Sequence, residues 1–149
     1  MGRVSRVTRA VAGILVVAFL AASCVTYVPM VEGESVRTER RITERAYFQS
    51  EDRVEPNSIA TVLEQDYTTA RYARLYQNRM LAFGVLSLAG SIFALTGMII
   101  NMVSDAPLAG VGITLTGVGF YLAAFPFSGL AHRSLSEGVE VYNEALLSP

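Results

Sequence analysis

"MLAFGVLSLAGSIFALTGMIINMV", residues 80–103, and "PLAGVGITLTGVGFYLAAFPFSGLA", residues 107–131, decide the architecture. The runs hold twenty-four and twenty-five residues, and neither contains Asp, Glu, Lys, Arg or His. A helix needs roughly 20 apolar residues to cross the hydrocarbon core of a bilayer. As core helices of a soluble protein, these two would have almost nothing left to pack against. The link "SDAP", 104–107, holds Asp105 and Pro107, both good turn residues. The pair therefore reads as an antiparallel two-helix transmembrane hairpin in an all-α membrane protein.

Small residues recur along both runs. Ala109, Gly112, Thr116, Gly119 and Ala123 follow spacings of 3, 4, 3 and 4, which is one face of a helix. Gly84, Ser87, Ser91 and Ala94 do the same in the first run, with Gly90 and Gly97 alongside. Lipid tails give no hydrophobic drive for helix association, whereas small residues permit close backbone approach. The two faces are expected to meet each other; the alternative is that one serves a neighbouring subunit. Pro126 is expected to kink the second helix near its exit. Proton relays and ion pathways use ionisable groups inside the membrane. Their absence here argues against a pump, while a passive oligomeric pore stays open. Thr96, Thr114 and Thr116 can turn their hydroxyls onto the preceding helical turn.

Upstream, residues 55–79 read as a helix from about residue 58 that continues unbroken into the first run. Asn57 or Ser58 can cap its start, and Thr61 with Glu64 offers a later capping box. Tyr72, Tyr76 and Arg79 sit just before the apolar stretch, and such side chains favour the bilayer interface. Residues 36–55 are densely charged, with signs mixed. Alternation sets Val36, Thr38, Ile42, Ala46 and Phe48 on one side, which fits a solvated strand or a short helix equally well. Residues 132–149 are expected to form a separate amphipathic helix with Leu135, Val139, Tyr142 and Leu146 as its stripe. Glu137, Glu140 and Glu144 would be repelled by an anionic surface, so the stripe is expected to pack on protein.

The chain opens with Arg3, Arg6 and Arg9, followed by thirteen uncharged residues at 10–22. A basic start, a 7–15-residue apolar core and small residues at the exit describe a secretory signal peptide. Cys24, the sole cysteine, stands directly after it in "LAASC", 20–24. This stretch resembles the lipobox of bacterial lipoproteins, and the resemblance covers residues 1–24. The family usually has a large aliphatic residue three places before the cysteine. Ala21 stands there in this chain, with Leu20 one step further back. The resemblance implies that the Cys24 thiol receives a diacylglyceryl group and that signal peptidase II removes 1–23. The new amino group is then usually acylated. Residues 24–35, with Pro29 and Gly33, would be a lipidated tether, and 36–79 a charged, mostly helical periplasmic region. Without the resemblance, the same leader fits an uncleaved anchor, or ordinary secretory cleavage with Cys24 a buried thiol.

Composition fits an envelope protein: 52% of residues are hydrophobic and 17% charged. A single cysteine excludes an intramolecular disulfide. From Cys24 onward, nine arginines against thirteen acidic residues leave a net charge of −4. No basic patch suits nucleic acid. His132 is the only histidine and reads as an interfacial polar residue. A zinc site usually needs three or four suitably spaced ligands. No phosphate loop or nucleophile elbow is present. No catalytic, cofactor-binding or metal residue is therefore expected, and the only attached group expected is the covalent lipid on Cys24. Expected partners are membrane lipid and other envelope proteins, or further copies through the hairpin.

Export of Cys24 would place 25–79 in the periplasm, and two crossings would return the tail there. Arg71, Arg74, Arg79 and Arg133 would all lie on that side, opposite a loop carrying Asp105 and no basic residue. That opposes the positive-inside rule for a cytoplasmic membrane. Val25 also stands where many lipoproteins carry an Asp that retains them in the inner membrane. The outer membrane is thus favoured. The expected function is a non-enzymatic envelope lipoprotein, scaffold or subunit of a larger membrane assembly. The alternative is a small oligomeric channel or accessory transport subunit.

Overall fold

A computed structural model describes residues 27–40, 45–103 and 107–148. Three short strands come first: β1 (Arg37–Arg40), β2 (Arg45–Gln49) and β3 (Asp52–Arg53). Three helices follow: α1 (Pro56–Gln65), α2 (Ala70–Val103) and α3 (Pro107–Leu147). The described chain is mostly helical, and α2 and α3 are each long and apolar enough to cross a membrane. The leader, Cys24 and Asp105 lie outside the described residues.

The strands correct the all-α expectation. They form one antiparallel sheet in the order β1-β2-β3. Thr38 pairs with Tyr47, so even residues of β1 share a face with odd residues of β2. Alternation carried straight through 36–48 had assigned Ala46 and Phe48 to the side of Val36. The register brings Tyr47 and Gln49 there instead, and both are buried. The Gln49 amide explains how a polar residue sits inside. It accepts from the Val31 N–H at 2.8 Å and donates to the Val31 and Glu34 carbonyls at 2.7 and 3.2 Å. Buried polar groups need such partners.

Those bonds also show that residues 27–35 are no free tether. The Val28 N–H donates to the Arg53 carbonyl at 3.0 Å, and the Glu55 N–H to the Val28 carbonyl at 3.1 Å. Met30 is buried, and its N–H donates to Ser58 Oγ at 3.1 Å. At the other end, Tyr142 accepts from the Gly33 N–H at 2.7 Å. Asn143 both accepts from and donates to the backbone of Val36, at 3.0 and 2.8 Å. Apolar burial plus satisfied backbone groups outweighs the freedom of a solvated linker.

The helix expected to run unbroken from about residue 58 is interrupted at 66–69. Asp66 takes an extended geometry, φ −93 and ψ 127. Its carboxylate accepts from the Thr68 N–H and hydroxyl, both at 2.8 Å. Buried Thr69 donates its hydroxyl to the Leu63 carbonyl at 2.6 Å. Asp and Thr side chains offer the backbone an alternative to helical bonding, and here they turn a corner. α1 buries Ile59, Ala60 and Leu63, and is tied to α2 by a 3.1 Å bond from Gln77 to Glu64.

α3 differs from expectation in the opposite sense. The second apolar run and the tail are one helix of 41 residues, with Pro126 inside it. Proline removes one helical hydrogen bond, yet packing on both sides of Pro126 holds the helix together. Leu135, Val139 and Tyr142 are buried on protein, as the acidic tail suggested, while Leu146 stays exposed. The core joins Tyr47, Ile59, Leu63, Ala73, Leu135 and Val139.

α2 and α3 pack antiparallel. Gly97 lies against Gly110 and Thr114, and Gly90 against Gly117 and Tyr121. Arg79 then reaches across to the Leu130 carbonyl at 2.7 Å and to the Ser134 hydroxyl. A Cβ added at Gly117 would meet Gly90 O at 2.7 Å, so the backbones touch. This corrects the assigned packing face on α3. Ala109, Gly112, Thr116, Gly119 and Ala123 are all exposed, as is Gly84 on α2. Added Cβ atoms at Gly84, Gly112 and Gly119 would meet nothing within 4 Å. Ser87, Ser91 and Ala94 are half-buried, and Ser91 bonds the Tyr121 hydroxyl across the pair. The physical reason is the continuity of α3. Steps of seven from buried Ala131 and Leu135 reach 124, 117 and 110, and 128, 121 and 114. Seven residues are nearly two turns, so one seam runs the whole length. The series read from sequence lies about 140° around the helix, at 100° per residue.

Candidate functional site

A cavity of about 300 Å³ opens where the sheet, the start of α1 and the helix pair meet. β2 presents Arg45 and Tyr47, and β3 presents Arg53. Asn57 comes from α1, Tyr76 and Met80 from α2, and His132 from α3. Tyr47 is fixed by its strand register and donates to the His132 carbonyl at 3.0 Å. Its ring stacks on the imidazole, with centroids 6.3 Å apart. Tyr76 meets the imidazole edge-on at 6.0 Å and donates its hydroxyl to Asn57 Oδ1 at 3.2 Å. His132 is thus held between two tyrosine rings whose hydroxyls are already engaged.

The electrostatics are mixed. Burial pushes the Tyr47 phenol above its ordinary range, with the nearby Arg45 opposing. The phenol is therefore a neutral donor at ordinary pH. Arg45 donates to the Ser136 hydroxyl, and the Arg53 guanidinium lies 5.0 Å from the centroid of the Tyr27 ring. Glu55 also lines the cavity. The lining thus includes two arginines and one carboxylate residue. Arg53 pairs with Phe48 and so leaves the sheet on the face opposite Arg45 and Tyr47. No group of three or more His, Cys, Asp or Glu that could hold a metal ion gathers among the described residues.

Of the residues expected to matter, Cys24 lies outside the described residues. Tyr27, three positions later, lines this cavity. His132, read as an interfacial residue, is half-buried in its wall. The exposed small-residue series on α3 lies elsewhere. Arg45, Tyr47, Arg53 and Asn57 were missed as a group. The one signal was an aromatic pair, Tyr47 and Phe48, inside an otherwise charged stretch. Without the strand register, nothing said which of the two points inward. Compared with protein-family models, curated proteins and solved structures, the chain matches none.

Proposed function

We propose that the protein is a non-enzymatic envelope lipoprotein, a scaffold or subunit of a larger membrane assembly. In this reading α2 and α3 form a transmembrane hairpin that carries a small periplasmic head. The carrying observation is the exposure of the two helices. Only 11% and 17% of the residues in their most apolar stretches are buried, whereas a soluble core helix would be mostly covered. Leu81, Leu88, Leu95, Leu115, Leu122 and Phe125 all face outward.

Lengths support the same reading. At 1.5 Å per residue, α2 and α3 measure roughly 50 and 60 Å. A bilayer core takes about 30 Å of each. The surplus lies at the end where the strands and α1 pack. The head cavity is shared by Tyr27, Met80 and His132; Met80 opens the first apolar run and His132 follows the second. Three residues span at most about 10 Å, so a lipid on Cys24 would lie beside the bilayer without a tether. With the head on the exported side, Arg71, Arg74, Arg79 and Arg133 lie together there, which favours the outer membrane. The channel alternative gains less support. Thr114 and Thr116 donate to their own helix, at Gly110 O and Gly112 O, 2.9 and 3.0 Å away.

Intact mass of the native protein and of Cys24→Ser tests the anchor, with co-purification in mild detergent for the assembly. The expected result is a chain beginning at a lipid-modified Cys24, bound to at least one other envelope protein in fixed ratio. An unmodified Cys24 or a retained Met1 removes the lipoprotein. A lone monomer removes the scaffold.

A further inference from the structure

We infer that one side of the α2–α3 pair is a contact for a second copy of the chain, related by a twofold axis along the membrane normal. This contact rests on the membrane reading above and gives the larger assembly a defined partner. It is carried by two complementary charges at one height. Tyr72 lies against Gly138, so Arg71 on α2 is level with residue 139 on α3. Glu140 is one residue further, about 1.5 Å along the axis. Both side chains belong to exposed residues, and neither takes part in an ion pair among the described residues. Their neighbours are already engaged: Glu137 is held by Arg133 at 2.9 Å, and Arg74 lies 3.9 Å from Glu64.

The two charges share a side that the head leaves open. Arg71 and Arg74 line a hollow along α2, and Arg133 and Glu137 line a second one between α2 and α3. Leu75 borders both, so the hollows adjoin. Glu140 stands one turn beyond Glu137 on the same side of α3. The core instead takes Ala73 and Tyr76 from α2, and Leu135 and Val139 from α3. Nearer the far end of α3, this side carries the exposed small residues. Steps of seven from Glu137 reach 130, 123 and 116, and steps of seven from Glu140 reach 133, 126, 119 and 112. Seven residues are nearly two turns, so acidic and small residues lie along one line. Added Cβ atoms at Gly112 and Gly119 would meet nothing within 4 Å. In lipid, small residues of this kind let a neighbouring helix come close.

A membrane restricts how two copies can meet. With both heads on the same side, the copies are related by rotation about the bilayer normal. Each group then meets only partner groups at its own height, and a twofold pair is the commonest closed arrangement. Turned side to side, α2 of one copy faces α3 of the other. Arg71 of each copy then meets Glu140 of its partner, so the contact forms twice. Complementary charges of this kind fix partner and register more than they supply affinity. Close approach along the small residues supplies the rest.

Energy transfer between copies of the full chain labelled at the C terminus, in vesicles of phosphatidylethanolamine and phosphatidylglycerol, tests the contact. At a fixed protein-to-lipid ratio the wild type should form dimers. Arg71→Glu alone and Glu140→Arg alone should each cut pairing at least about tenfold, because like charges then face each other twice. Mixing the two variants should restore it, since a mixed pair regains both contacts. Gly119→Leu should weaken pairing without moving the melting temperature, and Glu51→Arg, at the β2–β3 turn, should change neither. Wild-type pairing should also fall as salt rises from about 0.05 to 0.5 M, a readout that needs no variant. Undiminished pairing in any of the first three variants, no recovery on mixing, or pairing indifferent to salt overturns the contact. More than two copies per particle overturns the twofold axis. Flotation of the same vesicles separates the two claims. A chain that floats but stays single overturns the contact alone, whereas a chain that fails to float overturns the membrane reading.

Discussion

At the scale of single residues, Asp66 makes the corner between α1 and α2. The Thr68 backbone N–H, and then its hydroxyl, hold the Asp66 carboxyl below its ordinary value of 3.8. The unfolded chain therefore takes up this proton at higher pH than the folded one. The stabilisation is present above about pH 4 and is lost as the pH falls through the folded value. Asp66→Asn should show a shallower loss of thermal stability than wild type between about pH 5 and pH 3. Parallel profiles for the two proteins would remove Asp66 from the corner's stability. Gln49 works at the same scale, because one amide holds the backbone of two other residues. No periodic pattern marks such a residue, since polarity in a charged stretch looks the same whether it points in or out.

At the scale of elements, the seam between α2 and α3 decides which glycines matter. Gly117→Leu would drive a side chain into Ala94 N and Gly90 O, at 2.6 and 2.7 Å from its first carbon. Overpacking of this kind costs about 1–3 kcal/mol in a well-packed core. Gly112→Leu and Gly119→Leu meet open space and should melt within a few degrees of wild type. Equal destabilisation by all three variants in detergent would refute the seam. The existence of both long helices was legible, because two uncharged runs of that length allow few other structures. Their contact face was not. The run 107–131 carries two small-residue series on different faces, and only the buried Ala131 and Leu135 choose between them. Reading the tail as a separate helix discarded that information. The sheet stayed undecided for a related reason. The chain reverses between Arg40 and Arg45, and the pairing shifts parity across that reversal. The lipid-anchor motif and the charge-lined cavity differ in the same way. The first is local in sequence, while the second gathers residues from 45 to 132.

At the scale of the whole molecule, the head occupies one end of the antiparallel pair, so the two ends must face different compartments if the pair spans. Tyr67 is 97% exposed on the head, and Val103 is 82% exposed at the far end of α2. Tyr67→Cys, made with Cys24 retained, should label with an impermeant maleimide from the periplasm. Val103→Cys should label from the opposite side. In an outer membrane, Val103→Cys reacts on whole cells, and Tyr67→Cys reacts only once that membrane is opened. Reaction of Val103→Cys only after the inner membrane is breached moves the protein there and keeps the crossing. Reaction of both positions from the periplasm rules out the crossing.

Gly33 and Val36 are held by Tyr142 and Asn143, partners 109 and 107 residues later. That separation sets an order in time. The early backbone is made before its clasp, with α2 and most of α3 in between. Until α3 is complete, the core that covers Met30 and Val36 lacks Leu135, Val139 and Tyr142. Contacts so distant in sequence close slowly, because the loop entropy is spent before any contact returns it. The head therefore cannot ripen ahead of the helices that carry it. Its assembly reports that both have found their place.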